Sequence, residues 1–509
     1  MAIAAPSAAA AQPDDDIAQL ARGGRTSFFG FLLRLAARLP FLFIAGRWYG
    51  ADALGRFAYA TIIVEFAAQL ATLGLKRGLA QQLANSGRPK VCDVWDALFV
   101  GLLGASVATA MLLAFPQLMF PNSGVTGLDR LLPLTIFGWV GSDIALAALA
   151  YKGDVAATVK ARALWEPWTI SIAAFALAYW SLRDGLIVAY VLSMAAALIA
   201  SLWPMLRSYG LPRGWRPEPR RIVALARTNW PLAGADAVEW GSRRLDIAVL
   251  GWFFSPAIVG VYYVAQQVAT LPQKLKTTFD PVLGPVIAQR LHEGDRAAVG
   301  RQVAQVGFWI IAAQLGIALA LAVPGEAVMG LVGPTFVTGA GALAILLAAE
   351  AVAATAVVSE AALVYIAPYR NLVLSLLTIA VQLALSVALV LGLRALVENY
   401  EYIAEPMRDD PIAAAGPALA LLLALALAAV LKARLLRRLV GVRVTGWRFA
   451  LIPAALIGGA IGWAFTLLPP RFEWAELVLG VPAIMLGYGW WIWTRGFRRE
   501  DRVLFRFRS

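Results

Sequence analysis

Apolar residues come along this chain in runs of about 20, the length an α-helix needs to cross the hydrocarbon of a bilayer, divided by short polar connections. Fourteen helical spans are predicted, at 28–50, 57–75, 92–116, 130–150, 162–182, 185–206, 228–252, 257–284, 302–324, 337–366, 371–394, 411–431, 447–468 and 474–494. Residues 1–27 have no basic start and no long apolar core, and they carry Asp14, Asp15 and Asp16, so they read as a mobile tail rather than a signal peptide. RWYGADALGRF (47–57) reads as a short turn between the first two spans. The fold expected is an all-α polytopic membrane protein of about 14 transmembrane helices, arranged as two pseudo-symmetric six-helix lobes plus two C-terminal helices.

The polar positions that interrupt these runs carry the chemistry. Arg34 and Arg38 share one face of the first span, four residues apart. A charge near the bilayer centre costs about 2.5 to 3.5 kcal/mol on insertion scales, so that face should look into protein or water. Arg34 is near enough to the start of its span to snorkel instead; Arg38, two turns deeper, is less suited to that. Glu65 lies in the middle of the second span, and Asp143 is the clear acid of the third to sixth, with Asp93, Asp96 and Glu166 nearer span ends where water can reach. The seventh span carries Asp236, Glu239, Arg243, Arg244 and Asp246, five ionisable groups that cannot all face lipid. Glu239 and Arg243, at i and i+4, are placed to neutralise one another. The eighth adds Lys274, Lys276 and Asp280 among Pro272, Pro281 and Pro285, a density that predicts kinking, and the tenth holds Glu350 and Glu360. Gly458 and Gly462 at GxxxG spacing predict close helix packing, and Trp490, Trp491 and Trp493 an interfacial anchor.

The halves repeat in outline. At an offset of 205 residues LGRFAYA (54–60) lies on VGVYYVA (259–265), Gly55 on Gly260, Ala60 on Ala265, and Arg38 on Arg243. Six spans per half put both halves in one orientation, related by an axis along the membrane normal. The domains expected are a cytosolic tail (1–27), an N-lobe (28–207), a basic cytosolic linker (208–227), a C-lobe (228–431), a basic loop with the last two spans (432–494) and a basic tail (495–509).

Composition fits a membrane protein: of 509 residues 60% are hydrophobic and 15% charged, and mean hydropathy is +0.71. The net charge of +13 raises the question of nucleic acid, but most of the 44 Lys and Arg fall in the tails and even-to-odd connections. Examples are Arg213, Arg216, Arg220 and Arg221, and Lys432, Arg434, Arg437 and Arg438. By the positive-inside rule that asymmetry places both termini in the cytosol and leaves nucleic acid no part. The longest outside connection is acidic instead, with Glu398, Glu401, Glu405, Asp409 and Asp410, and reads as solvated charge. One cysteine, Cys92, and one histidine, His292, exclude an internal disulfide and a histidine metal cluster. The chain has no GxxxxGK[ST] loop, HExxH or nucleophile elbow, so no cofactor, ATP site or enzymatic activity is expected. What remains is a set of cations at mid-membrane depth, suited to an anionic cargo, since Arg forks match phosphate oxygens.

YGADALGRFAYATIIVEFAAQLATLGLKRGLAQQLA, VGVYYVAQQVATLPQKLKTTFDPVLGPVIAQRL, the paired halves and the fourteen-span outline resemble the polysaccharide transporters of the multidrug/oligosaccharidyl-lipid/polysaccharide exporter superfamily. The resemblance covers most of the chain after residue 28. It implies a flippase for undecaprenyl-diphosphate-linked oligosaccharide units in the bacterial inner membrane, with other polysaccharide-assembly membrane proteins as partners. A cationic cavity lined by the first, second, seventh and eighth helices would hold the diphosphate. By position that assigns Arg34, Arg38, Arg243, Arg244, Lys274 and Lys276 to the cargo. Glu65, Asp236, Glu239, Asp246, Asp280, Glu350 and Glu360 are candidates for proton or sodium coupling, or for plain ion pairs with the cations. The alternatives are a lipid II flippase, a multidrug exporter of the same fold, and a membrane glycosyltransferase or polymerase.

Overall fold

The computed structural model describes residues 39–212, 214–399, 414–469, 472–498 and 500–501; at 155, 239, 273–286, 288, 289, 292, 396–399 and 473 it describes the backbone alone. The first span, from 39 on, is α1 (39–49), and α2 (Gly50–Ala71) follows without an intervening loop. The turn expected over 47–57 is therefore corrected to one residue: Gly50 has φ +80°, a conformation L side chains rarely adopt, and residues 51–56 are helical. α3 (Leu75–Asn85), α4 (Lys90–Ala114), a 3₁₀ turn (Gly127–Leu134) into α5 (Thr135–Tyr151), α6 (155–178) and α7 (Gly185–Tyr209) complete the first half.

The second half runs through α8 (Pro219–Ser242), α9 (Leu245–Phe253), α10 (Pro256–His292), α11 (Arg296–Ala322), α12 (Ala340–Ile366), α13 (Pro368–Asn399) and α14 (Gly416–Val440). α15 (Leu451–Thr466) and α16 (476–496) close the described chain. Two differences from the predicted spans stand out. Pro219 at the first helical position starts α8 inside the expected linker, and the seventh span is two helices, parted at Arg243 and Arg244. Among the described residues nine helical stretches are long and apolar enough to cross a membrane, and Leu451–Thr466 is a shorter apolar helix. Those outside the nine are α6, which contains a π turn, and α8 to α10, where ionisable side chains concentrate.

Local sequence explains the connections. Before α6 and again before α11 a glycine at positive φ, Gly153 or Gly294, is followed by an aspartate whose side chain caps the helix. Asp154 accepts from Ala157 N (3.1 Å) and Asp295 from Ala298 N (2.8 Å).

α2 packs along α10. A Cβ at Gly55 would lie 1.7 Å from the carbonyl oxygen of Pro256, and one at Gly260 would lie 2.0 Å from that of Ala51. Since 55 + 205 = 260 and 51 + 205 = 256, each half presents the same two positions to the other, the reciprocity of a two-fold contact. α15 and α16 pack on each other and on α11: Gly462 meets Val323 and Ile484, Gly458 meets Leu319, Ile484 and Tyr488, and Tyr488 Oη donates to Ala312 O (2.7 Å). The GxxxG expectation holds.

Asp501 pins the described residues that follow α16. Its buried carboxylate accepts from Arg448 Nη1 (2.6 Å), Trp309 Nε1 (2.9 Å) and Arg498 N (2.8 Å). Burial opposes that charge, but the Arg448, Arg498 and Trp309 donors and the Arg448 charge outweigh it and hold the pKa below the usual aspartate range.

Candidate functional site

The break between α8 and α9 organises the site. Ser242 is the last residue of α8, Arg243 and Arg244 turn, and helix resumes at Leu245. An unbroken helix would give those two side chains the orientation of its own rows; the break lets Arg244 reach the opposite half. Its guanidinium is 3.9 Å from Glu65 Oε2 on α2 and sits 5.8 Å from the Trp240 ring. At 31% and 16% side-chain exposure, Arg244 and Glu65 lose part of their hydration, and each supplies the other's charge.

Glu65 also ends a chain of polar contacts through the N-lobe. Tyr190 Oη donates to Glu65 Oε1 (3.3 Å) and accepts from Trp139 Nε1 (2.7 Å). The Arg162 guanidinium lies 4.3 Å from the Trp139 ring, and it pairs with Glu166 (2.9 Å) and with Asp143. α2, α5, α6 and α7 are thus joined to the lobe interface by side chains whose charges sum to one excess carboxylate before Glu65 is counted.

Toward the side that the positive charge assigns to the cytosol, a second cross-lobe cluster forms. Asp236 on α8 is buried and lies 2.9 Å from Arg77 Nε and 3.4 Å from Lys76 Nζ, both on α3. The backbones come together there: a Cβ at Gly78 would lie 1.6 Å from Asn229 Oδ1, and one at Gly74 2.6 Å from Leu232 Cβ.

At the opposite end each lobe lays a loop over the other. Asn122, in the loop after α4, donates to the carbonyls of Gly251 and Phe254 at the end of α9 (2.9 Å each). That loop is fixed to α2 by the buried Arg56, which pairs with Asp129 and donates to Gly124 O (3.0 Å). In the other half Arg47 Nε donates to Leu331 O (3.0 Å), and Gly46 lies against Val332 and Phe336. Gly46 and Gly251 are equivalents, since 46 + 205 = 251, so the two closures are one device used twice. The lobes therefore touch at both ends.

Asp246, in the first turn of α9, differs from the acids above. It is 0% exposed and its partners are neutral: Tyr262 Oη (2.8 Å) and Gln266 Nε2 (2.9 and 3.0 Å to its two oxygens), both from α10. Among the described residues no cation lies within ion-pair distance of it. Gln266 Nε2 is also 3.4 Å from Arg243 O, tying the same side chain to the break.

The remaining expected residues are dispersed. Glu360 pairs with Lys432 (3.0 Å), and Lys432 also donates to Ser375 Oγ (3.0 Å). Lys432, which the sequence groups with Arg434, Arg437 and Arg438, is a buried residue of α14 whose counter-charge Glu360 supplies. Glu350 is half-buried on α12. Asp96, read as wet, is buried and accepts from Trp215 Nε1 (2.7 Å), and Asp93 is buried too. Arg34 and Arg38 lie outside the described residues, as do Glu401, Glu405, Asp409 and Asp410. Lys274, Lys276 and Asp280 lie on α10, Glu239 on α8 and Glu398 on α13, with side chains outside those described. Sequence reasoning missed Lys76, Arg77, Arg56 with Asp129, and Arg162. The spacing of Arg162 and Glu166, i and i+4, was a usable signal; the other pairs join distant helices.

The profile of a family described as polysaccharide biosynthesis protein matches residues 46–332. No curated protein matches the chain in sequence. Among solved structures it is similar to the lipid II flippase MurJ in an inward closed conformation, with a TM-score of 0.65 at 10% identity over 91% of this chain and 99% of that one. It is also similar to an inward-facing multidrug resistance MATE family transporter of the MOP superfamily, with a TM-score of 0.62 at 14% identity over 81% and 98% of the two chains. A third is a MOP superfamily transporter from Pyrococcus furiosus described by the reverse polarity of its binding pocket, with a TM-score of 0.56 at 14% identity over 84% and 96%. At these identities the likeness concerns the fold.

Proposed function

The chain belongs to the polysaccharide biosynthesis protein family, and from that premise we propose that it is a flippase for polyprenyl-diphosphate-linked oligosaccharide, carrying undecaprenyl-linked repeat units across the bacterial inner membrane. The lobes of residues 28–207 and 228–431 alternate in access, with both termini cytosolic and the bilayer and other polysaccharide-assembly proteins as surroundings. The observation that carries this reading is the break at Arg243 and Arg244, which sets a guanidinium at the lobe interface against an acid of the other lobe. A diphosphate offers more acceptor oxygens and more charge than Glu65 and competes with it for Arg244. Arg34, Arg38, Arg243, Lys274 and Lys276 are proposed to complete the cargo's cationic surroundings.

The test uses the purified chain in proteoliposomes with fluorescent undecaprenyl-diphosphate-linked N-acetylhexosamine. Flipping exposes the label on the far leaflet to a membrane-impermeant quencher without changing its mass. Arg244→Ala is expected to slow exposure by about ten- to a hundredfold, the equivalent of one charge-assisted hydrogen bond of roughly 1.5 to 3 kcal/mol. Unchanged exposure in that variant removes the proposed cargo site. A lengthened sugar would instead identify a transferase or polymerase, and faster exposure of lipid II a cargo like that of the lipid II flippase MurJ. Cationic drugs, the cargo of a multidrug exporter, have no attraction to an interface guanidinium.

A further inference from the structure

The segment that joins the two halves is fastened to one of them. It runs from the end of α7 to the start of α8, and residues 214 and 216–220 are exposed, but Trp215 among them is half-buried. Its indole Nε1 donates to Oδ1 of Asp96 (2.7 Å), a buried acid of α4. The ring lies against Trp95 and Phe99 of the same helix, with centroids 6.1 and 6.0 Å away. Arg88, just before α4, stands 3.6 Å from the other oxygen of Asp96 and 3.6 Å from Glu218, which also pairs with Arg221 (2.7 Å). The pairs of Glu218 are exposed and each contributes little. The indole bond is the strong hold, since it is charge-assisted and its loss leaves a buried carboxylate short of a donor.

Between that anchor and α8 the backbone is stiff. Pro217 and Pro219 fix their own φ and bias Arg216 and Glu218 to extended conformations, and Glu218 has φ −93° and ψ 112°. At about 3.1 Å per residue for such backbone, the steps from Trp215 to Pro219 span about 12 Å. The start of α8 is thus strutted to the start of α4. α8 itself packs on α2, α3 and α4, and Asp236 adds its pairs with Lys76 and Arg77 of α3.

On the reading of the chain as a flippase of two alternating lobes, we propose that Trp215 is a latch on cytosolic opening: docked on Asp96 it straps the start of the C-lobe to the N-lobe, and it must leave that acid before α8 parts from α3 and α4. The reason is reach. A strut of this length, already extended, cannot follow α8 outward while its other end stays on α4. Opening therefore breaks the indole bond and the contacts with Trp95 and Phe99. An undocked indole is accommodated at the membrane–water interface, so docked and undocked forms can exchange. None of these groups is among those proposed to touch the cargo. The latch sets how often the cytosolic side opens, not what enters.

The test reads opening directly and needs no cargo. With Cys92 replaced by serine, spin labels are placed on the full chain in lipid nanodiscs at Ala156 of α6 and Arg301 of α11, exposed residues of the two lobes, and their separation is measured by double electron–electron resonance. The shorter distance is expected to dominate in the parent, and Trp215→Ala to raise the population of the longer one about tenfold, as for the loss of one charge-assisted hydrogen bond. Trp215→Phe, which keeps a ring but no donor, is expected to fall between. A second variant leaves every buried residue in place: Gly-Ser-Gly-Ser inserted between Arg216 and Pro217 gives the strut slack and is expected to raise the longer distance as Trp215→Ala does. Together the two changes should do no more than either alone, because both release one restraint. A distance distribution unmoved by Trp215→Ala overturns the latch. So does an insertion without effect, which would confine Trp215 to the packing of α4, and so does a combined effect equal to the product of the two. None of these outcomes bears on whether the labelled lipid is flipped, so this inference and the flippase reading fail separately.

Discussion

Asp501 links pH to the hold on the described residues after α16. Its folded pKa lies below the ordinary aspartate value of about 3.9, so the contribution of the Arg448 pair is complete above that value and is lost as pH falls through the folded pKa. Amide hydrogen exchange of residues 496–501 is expected to be slow at neutral pH and to accelerate, relative to the intrinsic rate, below about pH 4. Asp501→Asn should show the fast exchange already at neutral pH, with a local cost of about 1 to 3 kcal/mol for the donors left behind. Exchange insensitive to both would mean the segment is held by something else. None of this was legible in the sequence: Asp501 sits in a basic tail, and Arg448, Trp309 and Asp501 meet only because α15 and α16 pack against α11. The same holds for Arg56 and Asp129, whereas Glu65 and Asp246 could be singled out beforehand because an acid in an apolar run demands a reason.

A helix tolerates alanine better than glycine by about 1 kcal/mol, so propensity alone would have Gly55→Ala and Gly260→Ala stabilise α2 and α10. Contact decides otherwise. A Cβ 1.7 Å from one carbonyl oxygen and 2.0 Å from another forces the backbones apart, and overpacking of this kind costs about 1 to 3 kcal/mol or more. Either variant is expected to lower the thermal midpoint and to weaken a cysteine cross-link between α2 and α10, with the double variant no worse than additive only if the helices can separate as a unit. A raised midpoint would refute the close approach. The elements themselves were legible where apolar runs are long: twelve of the fourteen predicted spans lie within the described residues and are helical over most of their length, while the first is described from residue 39 and the twelfth from residue 414. The seventh was not legible as two helices, because the pair that holds the break open joins Arg244 to Glu65 of the other lobe, a contact between residues far apart in sequence.

At the scale of the molecule, the proposed alternation of access makes the two interface clusters opposed brakes. Asp236 with Lys76 and Arg77 closes one end, Asn122 on the Gly251 and Phe254 carbonyls the other. Asp236→Lys should favour opening at the α3 end, read as faster labelling of a cysteine at Leu232, and Arg77→Asp added to it should restore protection by reversing the pair. Asn122→Ala should raise labelling near Gly251 without altering the α3 end; matched changes at both ends would deny that the brakes are separate. The paired halves were visible in the sequence through Gly55 and Gly260, while the charged pairs across them were not, since they break the repeat. That breakage has a consequence of its own. Two halves that meet through their own equivalents are built like a homodimer joined into one polypeptide, and in a homodimer every substitution is made twice. Joining removes that constraint. Arg56 has Val261 as its counterpart, 56 + 205 = 261, so one copy anchors a loop through Asp129 while the other is apolar. Fusion let the halves specialise while their shared axis stayed glycine.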